Sequence, residues 1–277
     1  MIISWRIPCD LSLKNKNKHM KISILCDNMA GPRFKATHGF SVYIEADVNV
    51  LFDVGPDDTF LSNAARLNLE LNPNYIVLSH GHWDHGDGLN FLQENLNLVC
   101  HPSCFKKRFS KAKNKFVGLS LSEEQIAEKF KLHKSKNCIK LSEQVYFLGE
   151  IPRLNNFETQ HTDFIDENGK DDFIDDDSAL AIILSEGLVI ISGCAHAGIC
   201  NTIEYAMKIT GIDKIEAIFG GFHLKSQGNQ TKRTIDFLLN IGVNKVHPSH
   251  CTSLPALADF YNTYKLPQVL SGNYYSF

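Results

Sequence analysis

Metal-capable side chains are concentrated in one short stretch of the sequence. The segment LSHGHWDHGDGL, residues 78–89, follows the apolar run YIVL and holds His80, His82, Asp84 and His85. Imidazole nitrogens suit zinc and iron, and a carboxylate adds negative charge to a metal site. Four ligands so close together exceed what one metal ion takes from a single loop. The spacing therefore favours two metal ions that share the loop over isolated core histidines.

Two later segments each place a histidine among small residues. They are SGCAHAGI, which contains His196, and HPSHCTS, which contains His250. Both follow apolar, β-branched runs, so each histidine is expected in a loop that leaves a strand. His161, in ETQHTDF, competes with His196 as a later ligand, but its surroundings do not resemble a ligand turn. We therefore rank His196 above it.

Three further residues are candidates for contact with a substrate. His223 ends the strand-like run IFGGFHL, so it is expected near the same sheet edge. It is either a substrate-binding and proton-transfer residue or an ordinary loop histidine. Asp27 and Asn28 follow the first predicted strand and are expected at the rim of the same pocket.

The candidate residues must be positioned by strands and helices, and the sequence contains segments with the periodicity of each. Short β-branched runs bounded by Gly, Asp, Asn or Pro predict strands; they are KISILC, FSVYIE, VNVLFDVG, YIVLSH, VYFLGE, LAIIL, LVIIS, EAIFGG and KVHPSH. Helical spacing appears in DTFLSNAARLNLE, DGLNFLQENL, SEEQIAEKFKLH, NTIEYAMKIT, TKRTIDFLLNIG and LPALADFYNTY. Strands mixed with helices in this way predict stacked sheets covered by outer helices.

The chain is interpreted as one domain, residues 20–277, after a leader or loosely docked segment at residues 1–19. Residues 106–140 hold eleven Lys or Arg against three Glu and look like a basic insertion. Residues 163–177 hold eight acidic residues and one lysine. Such runs are often solvated loops. The alternative is that the basic segment is part of a lid that attracts an anionic substrate.

The composition indicates which cellular compartment and which classes of binding partner to expect. The formal net charge of -3 argues against a general nucleic-acid coat protein. A membrane span is not expected, because the sequence has no apolar run long enough to cross a bilayer. The chain is large enough to fold without disulfides, and no secretory signal is visible, so its eight cysteines are expected to be reduced in the cytoplasm.

The metal loop resembles the metallo-β-lactamase superfamily, whose signature is H-x-H-x-D-H. The segment VNVLFDVG also resembles the superfamily's strand ending in Asp-x-Gly, with Asp53 at the aspartate that supports the metal loop. The segments THGFSVYIE, FLGEIPR, ISGCAHAGICNTI, GGFHL and HPSHCT look like the branch of dihydropterin-ribofuranosyl-aminobenzene-phosphate-synthase-like metal-dependent hydrolases. This resemblance implies an α/β fold, an αββα sandwich of two mixed β-sheets flanked by helices.

The resemblance also implies a ligand set for two divalent metal ions. His80, His82 and His196 would hold the first ion, and Asp84, His85 and His250 the second. The sequence departs from the usual pattern at Cys194, where the superfamily has an aspartate that bridges both metals. Three roles are open for Cys194: a thiolate that bridges the metals, a residue that contacts the ligands without binding a metal, or a small residue that packs in the core. Zinc is the expected metal, with iron and manganese as alternatives.

The implied activity is hydrolysis by a metal-bound hydroxide. Asp84 would bind a metal and orient the nucleophile, and His223 would protonate the leaving group. The basic segment and the branch favour a phosphorylated or otherwise anionic small molecule, as a phosphoester or phosphodiester. Ester, lactone or thioester hydrolysis, and a metal-binding regulatory protein without turnover, stay open as alternatives. A flavodiiron-type redox protein fits less well, because it typically has Glu at the position of His82.

Overall fold

The computed structural model describes residues 19–277. The predicted leader, residues 1–19, therefore lies outside the described residues except for His19. From Met20 onward the chain is ordered into sheets and helices, and the backbone of Met20 pairs with that of Phe277. None of the helices in residues 19–277 combines the length and apolar character that a bilayer crossing requires.

Short strands make up two large sheets and one small one. In chain order the strands are β1 (Lys21–Cys26), β2 (Ser41–Glu45), β3 (Asn49–Phe52), β4 (Tyr75–Val77), β5 (Asn97–Cys100), β6 (Arg108–Ser110), β7 (Lys131–Lys134), β8 (Ile139–Lys140), β9 (Val145–Phe147), β10 (Phe164–Asp166), β11 (Ala179–Ile183), β12 (Leu188–Ser192), β13 (Ile215–Gly221), β14 (Lys245–Ser249) and β15 (Tyr274–Ser276). The first sheet has the order β15-β1-β2-β3-β4-β5-β7, the second β14-β13-β12-β11-β9-β8, and β10 pairs with β6. Both large sheets are mixed, with parallel pairing at β3-β4-β5-β7 and at β12-β13-β14.

Helices cover the outer faces of the two large sheets. They are α1 (Thr59–Arg66), α2 (Trp83–Gly86), α3 (Glu123–Lys129), α4 (Ile199–Thr210), α5 (Asn229–Asn240) and α6 (Leu254–Tyr264), with short 3-10 turns at Asp87–Phe91 and Pro102–Phe105. One apolar cluster lies between the sheets, and one lies under the helices on each outer side. Every residue of β12 is buried, as expected for a central strand covered on both faces. The expected αββα sandwich is thereby confirmed.

Three predicted helices end earlier than their sequence pattern suggests. The helix expected over DTFLSNAARLNLE ends at Arg66. The segment DGLNFLQENL forms only a 3-10 turn that ends at Phe91. The helix expected over SEEQIAEKFKLH begins with a capping box at Ser122 but stops at Lys129. Residues 131–134 then pair in parallel with β5. Pairing at the open sheet edge outweighs the weak preference of these residues for helix.

The basic insertion and the acidic stretch pair with each other. Strand β6 of the insertion is antiparallel to β10 of the acidic stretch. Lys107 and Lys111 form exposed ion pairs with Glu167 and Asp171. Part of the basic charge expected to attract a substrate is therefore neutralised within the protein.

Arg108 is the exception in this segment, because it is completely buried. Its guanidinium makes two hydrogen bonds to the Asp176 carboxylate, at 2.8 and 3.1 Å, and lies 3.2 Å from Asp172. Asp176 Oδ2 also accepts a hydrogen bond of 2.7 Å from the backbone N–H of Gly81. Gly81 lies between His80 and His82, so the ion pair fixes the backbone of the histidine loop.

We expect Arg108→Met to lower the free energy of unfolding by about 3–5 kcal/mol, because it leaves the Asp176 charge buried without its partner. Lys107→Met is the matched control, since Lys107 precedes Arg108 and its ion pair is exposed; its effect is expected to be below about 1 kcal/mol. Urea unfolding of both variants measures the difference. Equal losses in the two variants would contradict a structural role for the buried pair.

His247 of β14 is a buried imidazole outside the histidine loop. Its ring stacks on Phe219 at 4.5 Å with an interplanar angle of 8°, and the residue is 6% exposed. Burial, with a smaller contribution from Lys245, lowers the pKa of His247 to about 4. The folded protein therefore holds this imidazole neutral in mildly acidic solution.

This lowered pKa predicts a specific acid sensitivity. An unfolded histidine binds its proton near pH 6.5, so the contribution of His247 to stability is complete above that pH and declines as the pH falls towards 4. At about pH 5 the loss is about 2 kcal/mol. In chelator-treated protein, His247→Phe is expected to reduce the fall in unfolding free energy between about pH 7 and pH 5 by that amount. The exposed His133→Phe should follow the wild type, and identical slopes for all three proteins would refute the assignment.

Candidate metal centre

The candidate residues follow the carboxyl ends of strands from both large sheets. Asp53 comes directly after β3, and His80 lies in the loop that leaves β4. Cys194, His223 and His250 follow β12, β13 and β14 in the second sheet. Since β3 and β4 are parallel, and β12 to β14 are parallel, these loops gather at one edge of the sandwich. The site is therefore built where two groups of parallel strands end.

Four non-glycine residues at this edge adopt left-handed backbone conformations. They are Asp53, Ala195, His223 and His250, with φ between 47° and 53°. Such conformations are uncommon for residues with a side chain and cost roughly 1–3 kcal/mol each. Their concentration beside the histidines is typical of a functional site, where the surrounding structure maintains strain.

The first ligand cluster joins the histidine loop to the loop after β12. His80 Nε2 lies 2.8 Å from His82 Nδ1. Ligand atoms of His80, Cys194 and His196 lie within 4.8 Å of one another. Burial, followed by the neighbouring imidazoles, lowers the pKa of both His80 and His196 well below its ordinary value. Both imidazoles are therefore neutral, which is the form that binds metal.

The second ligand cluster joins the histidine loop to the loop after β14. The Nε2 atoms of His85 and His250 face each other at 3.0 Å, and Cys194 Sγ lies 3.2 Å from His85 Nε2. Asp84 Oδ2 is 3.5 Å from His250 Nε2 and 3.2 Å from His38 Nε2. Cys194 thus lies next to both clusters.

The donor atoms of these clusters fit a divalent metal. Nitrogens of paired imidazoles face each other at about 3 Å inside the protein, where a cation would satisfy both lone pairs. The Nε2 atoms of His82 and His196 are also buried without a hydrogen-bond partner among the described residues. Imidazole, thiol and carboxylate together form a set suited to zinc or iron.

Asp53 supports this site through hydrogen bonds that occupy both of its carboxylate oxygens. Its Oδ1 accepts the backbone N–H of Ser79, and its Oδ2 accepts the Ser79 hydroxyl and His85 Nδ1, all at 2.7 Å. Burial alone would lower the pKa of His85, but Asp53 and then Asp84 outweigh it and raise the pKa to about 9. With Nδ1 bound to Asp53, only Nε2 of His85 faces the cluster.

Asp27 and Asn28 differ from their expected place at the rim of a pocket. Asp27 is 2% exposed and accepts a hydrogen bond of 3.2 Å from the backbone N–H of His250. Asn28 Nδ2 donates to the His250 carbonyl, while its Oδ1 lies 3.0 Å from His250 Nδ1. Both residues orient His250, because the loop after β1 runs beneath the loop after β14.

A cavity of about 240 Å³ opens beside the first cluster. Its walls include His196, His223, Phe164 and Lys225, and the first turn of α5 borders it. The rings of His196 and His223 are 4.3 Å apart. His161 is exposed on this wall and belongs to neither ligand cluster, so His196 is the histidine that the fold brings to the loop.

Two neighbours of the site were not predicted from the sequence. His38 contacts Asp84, and Cys251 lies with His223 and Cys194 in a further group of ligand-type atoms. The only sequence signals were a histidine in THGF before the second strand and a cysteine directly after His250. Neither has a spacing that distinguishes it from an ordinary loop residue.

Comparisons with known proteins agree with this geometry. Residues 35–99 match the family model described as the metallo-beta-lactamase superfamily. The chain is 33% identical over 278 residues to the 7,8-dihydropterin-6-methyl-4-(beta-D-ribofuranosyl)-aminobenzene-5'-phosphate synthase of Methanocaldococcus jannaschii, covering 90% of this chain and 93% of the relative. A crystal structure of a metal-dependent hydrolase of the beta-lactamase superfamily superimposes with a TM-score of 0.82 and 28% identity, covering 92% and 98% of the two chains.

A more distant structure agrees in fold alone. It is a diphosphatase from the PhnP family, with 13% identity and a TM-score of 0.54, covering 93% of this chain and 98% of that one. Together with the ligand loop at the sheet edge, these similarities establish the family. The chain belongs to the metallo-beta-lactamase superfamily.

Proposed function

We propose that the protein is a hydrolase with a dinuclear metal centre and that it acts on a phosphorylated or otherwise anionic small molecule. The observation that carries this proposal is the position of Cys194. Its sulfur belongs both to the group with His80 and His196 and to the group with His85 and His250. Two ligand clusters that share one residue suit two metal ions better than one.

The ligands are assigned to two positions. His80, His82 and His196 would hold the first ion, and Asp84, His85 and His250 would hold the second. Cys194 would supply a thiolate to the centre, in place of the aspartate usual in this superfamily. Zinc is the expected metal because nitrogen and sulfur donors dominate, and iron or manganese is the alternative.

Metal ions bound there would lower the pKa of a coordinated water towards about 7 and stabilise negative charge that develops on the substrate. Asp84 is oriented by His38, which lies 3.2 Å from its Oδ2, and we assign Asp84 the orientation of the nucleophile. His223 has its Nδ1 buried without a hydrogen-bond partner among the described residues, and it faces the cavity. We assign it the transfer of a proton to the leaving group.

The cavity also bears on the substrate class. Lys225 and the amino end of α5 border it. Lys225 forms an ion pair with Asp163, another residue of the cavity wall, so the amino end of α5 is the feature that favours a negatively charged group. The relative from Methanocaldococcus jannaschii is named for a phosphate-containing product, which agrees with a phosphorylated substrate. The basic insertion contributes less than its composition suggests, because Lys107 and Lys111 pair with acidic residues.

The proposal predicts metal-dependent turnover that requires His80. Protein loaded with zinc, iron or manganese is expected to hydrolyse a phosphomonoester or phosphodiester in a panel that also contains lactones and thioesters. His80→Ala should lose bound metal and all turnover, because it removes a ligand from the first position. Metal analysis and product release measure both effects, and the exposed His133→Ala is the control.

His223→Gln separates the proton-transfer role from metal binding. The variant should keep its metal and lower kcat by roughly 10²–10⁴-fold, as expected for loss of a general acid.

The substrate panel also separates the alternatives. Turnover only on lactones or thioesters would identify the protein as a hydrolase of those substrates instead of phosphoesters. Metal binding without turnover on any substrate class would favour a regulatory metal-binding protein. Unchanged metal content in His80→Ala would refute the site.

The role of Cys194 has its own test. Cobalt-substituted wild-type protein should show the near-ultraviolet charge-transfer absorption of a thiolate–cobalt bond. Cys194→Ser should lose that absorption, because a hydroxyl cannot supply the sulfur donor. Cys200→Ser is the matched control, since Cys200 is equally buried but lies in α4. Identical spectra for wild type and Cys194→Ser would show that Cys194 is not a ligand.

A further inference from the structure

A second thiol lies beside Cys194 and takes no part in the proposed ligand set. Cys251 directly follows His250 in the loop after β14. Its sulfur, the sulfur of Cys194 and a ring nitrogen of His223 all lie within 4.8 Å of one another. Two cysteines far apart in the sequence are therefore adjacent at the metal centre.

Contacts on both sides hold the sulfur of Cys251 in this position. The backbone N–H of His223 donates to Cys251 Sγ at 3.3 Å, and the Cys251 thiol donates to the Cys194 carbonyl at 3.6 Å. Gly221 is required here, because a Cβ atom on it would lie 2.5 Å from Cys251 Sγ. The end of β13 thus leaves room for the thiol between the loops after β12 and β14.

The two cysteine residues differ in their exposure to solvent. Cys194 is 3% exposed, whereas Cys251 is partly exposed. Cys100 and Cys104 also contact each other, but both are completely buried. Among the described residues, Cys251 is thus the partly exposed cysteine that has a neighbouring cysteine at the site.

We propose that Cys194 and Cys251 form a reversible disulfide when the protein meets a hydroperoxide, and that this modification withdraws Cys194 from the metal centre. The disulfide itself depends only on the two thiols. The loss of metal rests on the proposed function, in which Cys194 is a ligand.

The chemistry balances in two steps. The sulfur of Cys251 attacks the outer oxygen of the hydroperoxide, so the O–O bond breaks, an alcohol or water leaves, and a sulfenic acid forms. The sulfur of Cys194 then attacks the sulfur of Cys251, which forms the S–S bond and releases water. Two thiols are oxidised and one peroxide is reduced. The sulfurs lie within 4.8 Å of each other and must close to about 2.0 Å in the disulfide.

The disulfide is tested on full-length, metal-free protein treated with hydrogen peroxide. Mass spectrometry of proteolytic peptides should detect a cross-link between Cys194 and Cys251 with the loss of two hydrogen atoms, and dithiothreitol should reverse it. Cys251→Ser and Cys251→Ala should both lack the cross-link. Cys138→Ser should retain it, because Cys138 is also partly exposed but lies beside β8, at the opposite edge of the second sheet from β14. Sulfinic acid on Cys251 without a cross-link, or a cross-link between other cysteines, would overturn the proposal.

The effect on the metal is tested on zinc-loaded protein. Peroxide should release zinc from the wild type and from Cys138→Ser, but not from Cys251→Ser, and a chromogenic chelator measures the release. Zinc retained by a wild type that carries the cross-link would overturn the withdrawal of Cys194. Failure of the proposed function has a different signature: the cross-link forms, but untreated protein binds no zinc and hydrolyses no substrate.

Discussion

The geometry of the site depends on one buried carboxylate. Asp53 is inaccessible to solvent and must be fully hydrogen-bonded, because an unpaired buried charge costs several kcal/mol. Its partners are the backbone and hydroxyl of Ser79 and the ring of His85, at the beginning and the end of the histidine loop. Satisfying this charge therefore fixes both ends of the loop. His80 and His82 lie between those ends and have little freedom to turn away.

The second sheet can approach the histidine loop only because Gly193, which has no side chain, lies at the point of closest contact. A Cβ on Gly193 would lie within 3 Å of Asp53 Oδ2 and still closer to Ser79, so only glycine allows β12 to end against the loop. Cys194 follows immediately and is thereby carried to the boundary between the two ligand clusters. In the proposed centre, a thiolate at that position would offer one soft donor atom where a carboxylate offers two hard oxygens. It would therefore favour zinc over magnesium or calcium.

The sequence predicts the part of the site that is local. The spacing of His80, His82, Asp84 and His85 is visible because the four residues share one loop, and the periodic runs predict the layers of the sandwich. The contacts of Asp27 and Asn28 with His250 could not be predicted from the sequence, because they depend on which loop packs against the loop after β1. Cys251 has no signal of its own, since its importance arises from a neighbour 57 positions away. The pairing of the basic insertion with the acidic stretch likewise depends on the tertiary structure, whereas composition alone suggests that their charges are unpaired.

The buried Arg108 couples the small sheet of β6 and β10 to the histidine loop. Asp176 binds Arg108 on one side and the Gly81 N–H on the other, so the two-stranded sheet of β6 and β10 and the histidine loop share one carboxylate. Any ligand that binds only the folded loop stabilises what the loop contacts, and the coupling is reciprocal. A metal ion held by His80 and His82, as proposed, would therefore also stabilise the small sheet of β6 and β10. Phe164 of that sheet forms a wall of the cavity, so the same buried ion pair supports both the cavity and the candidate metal loop.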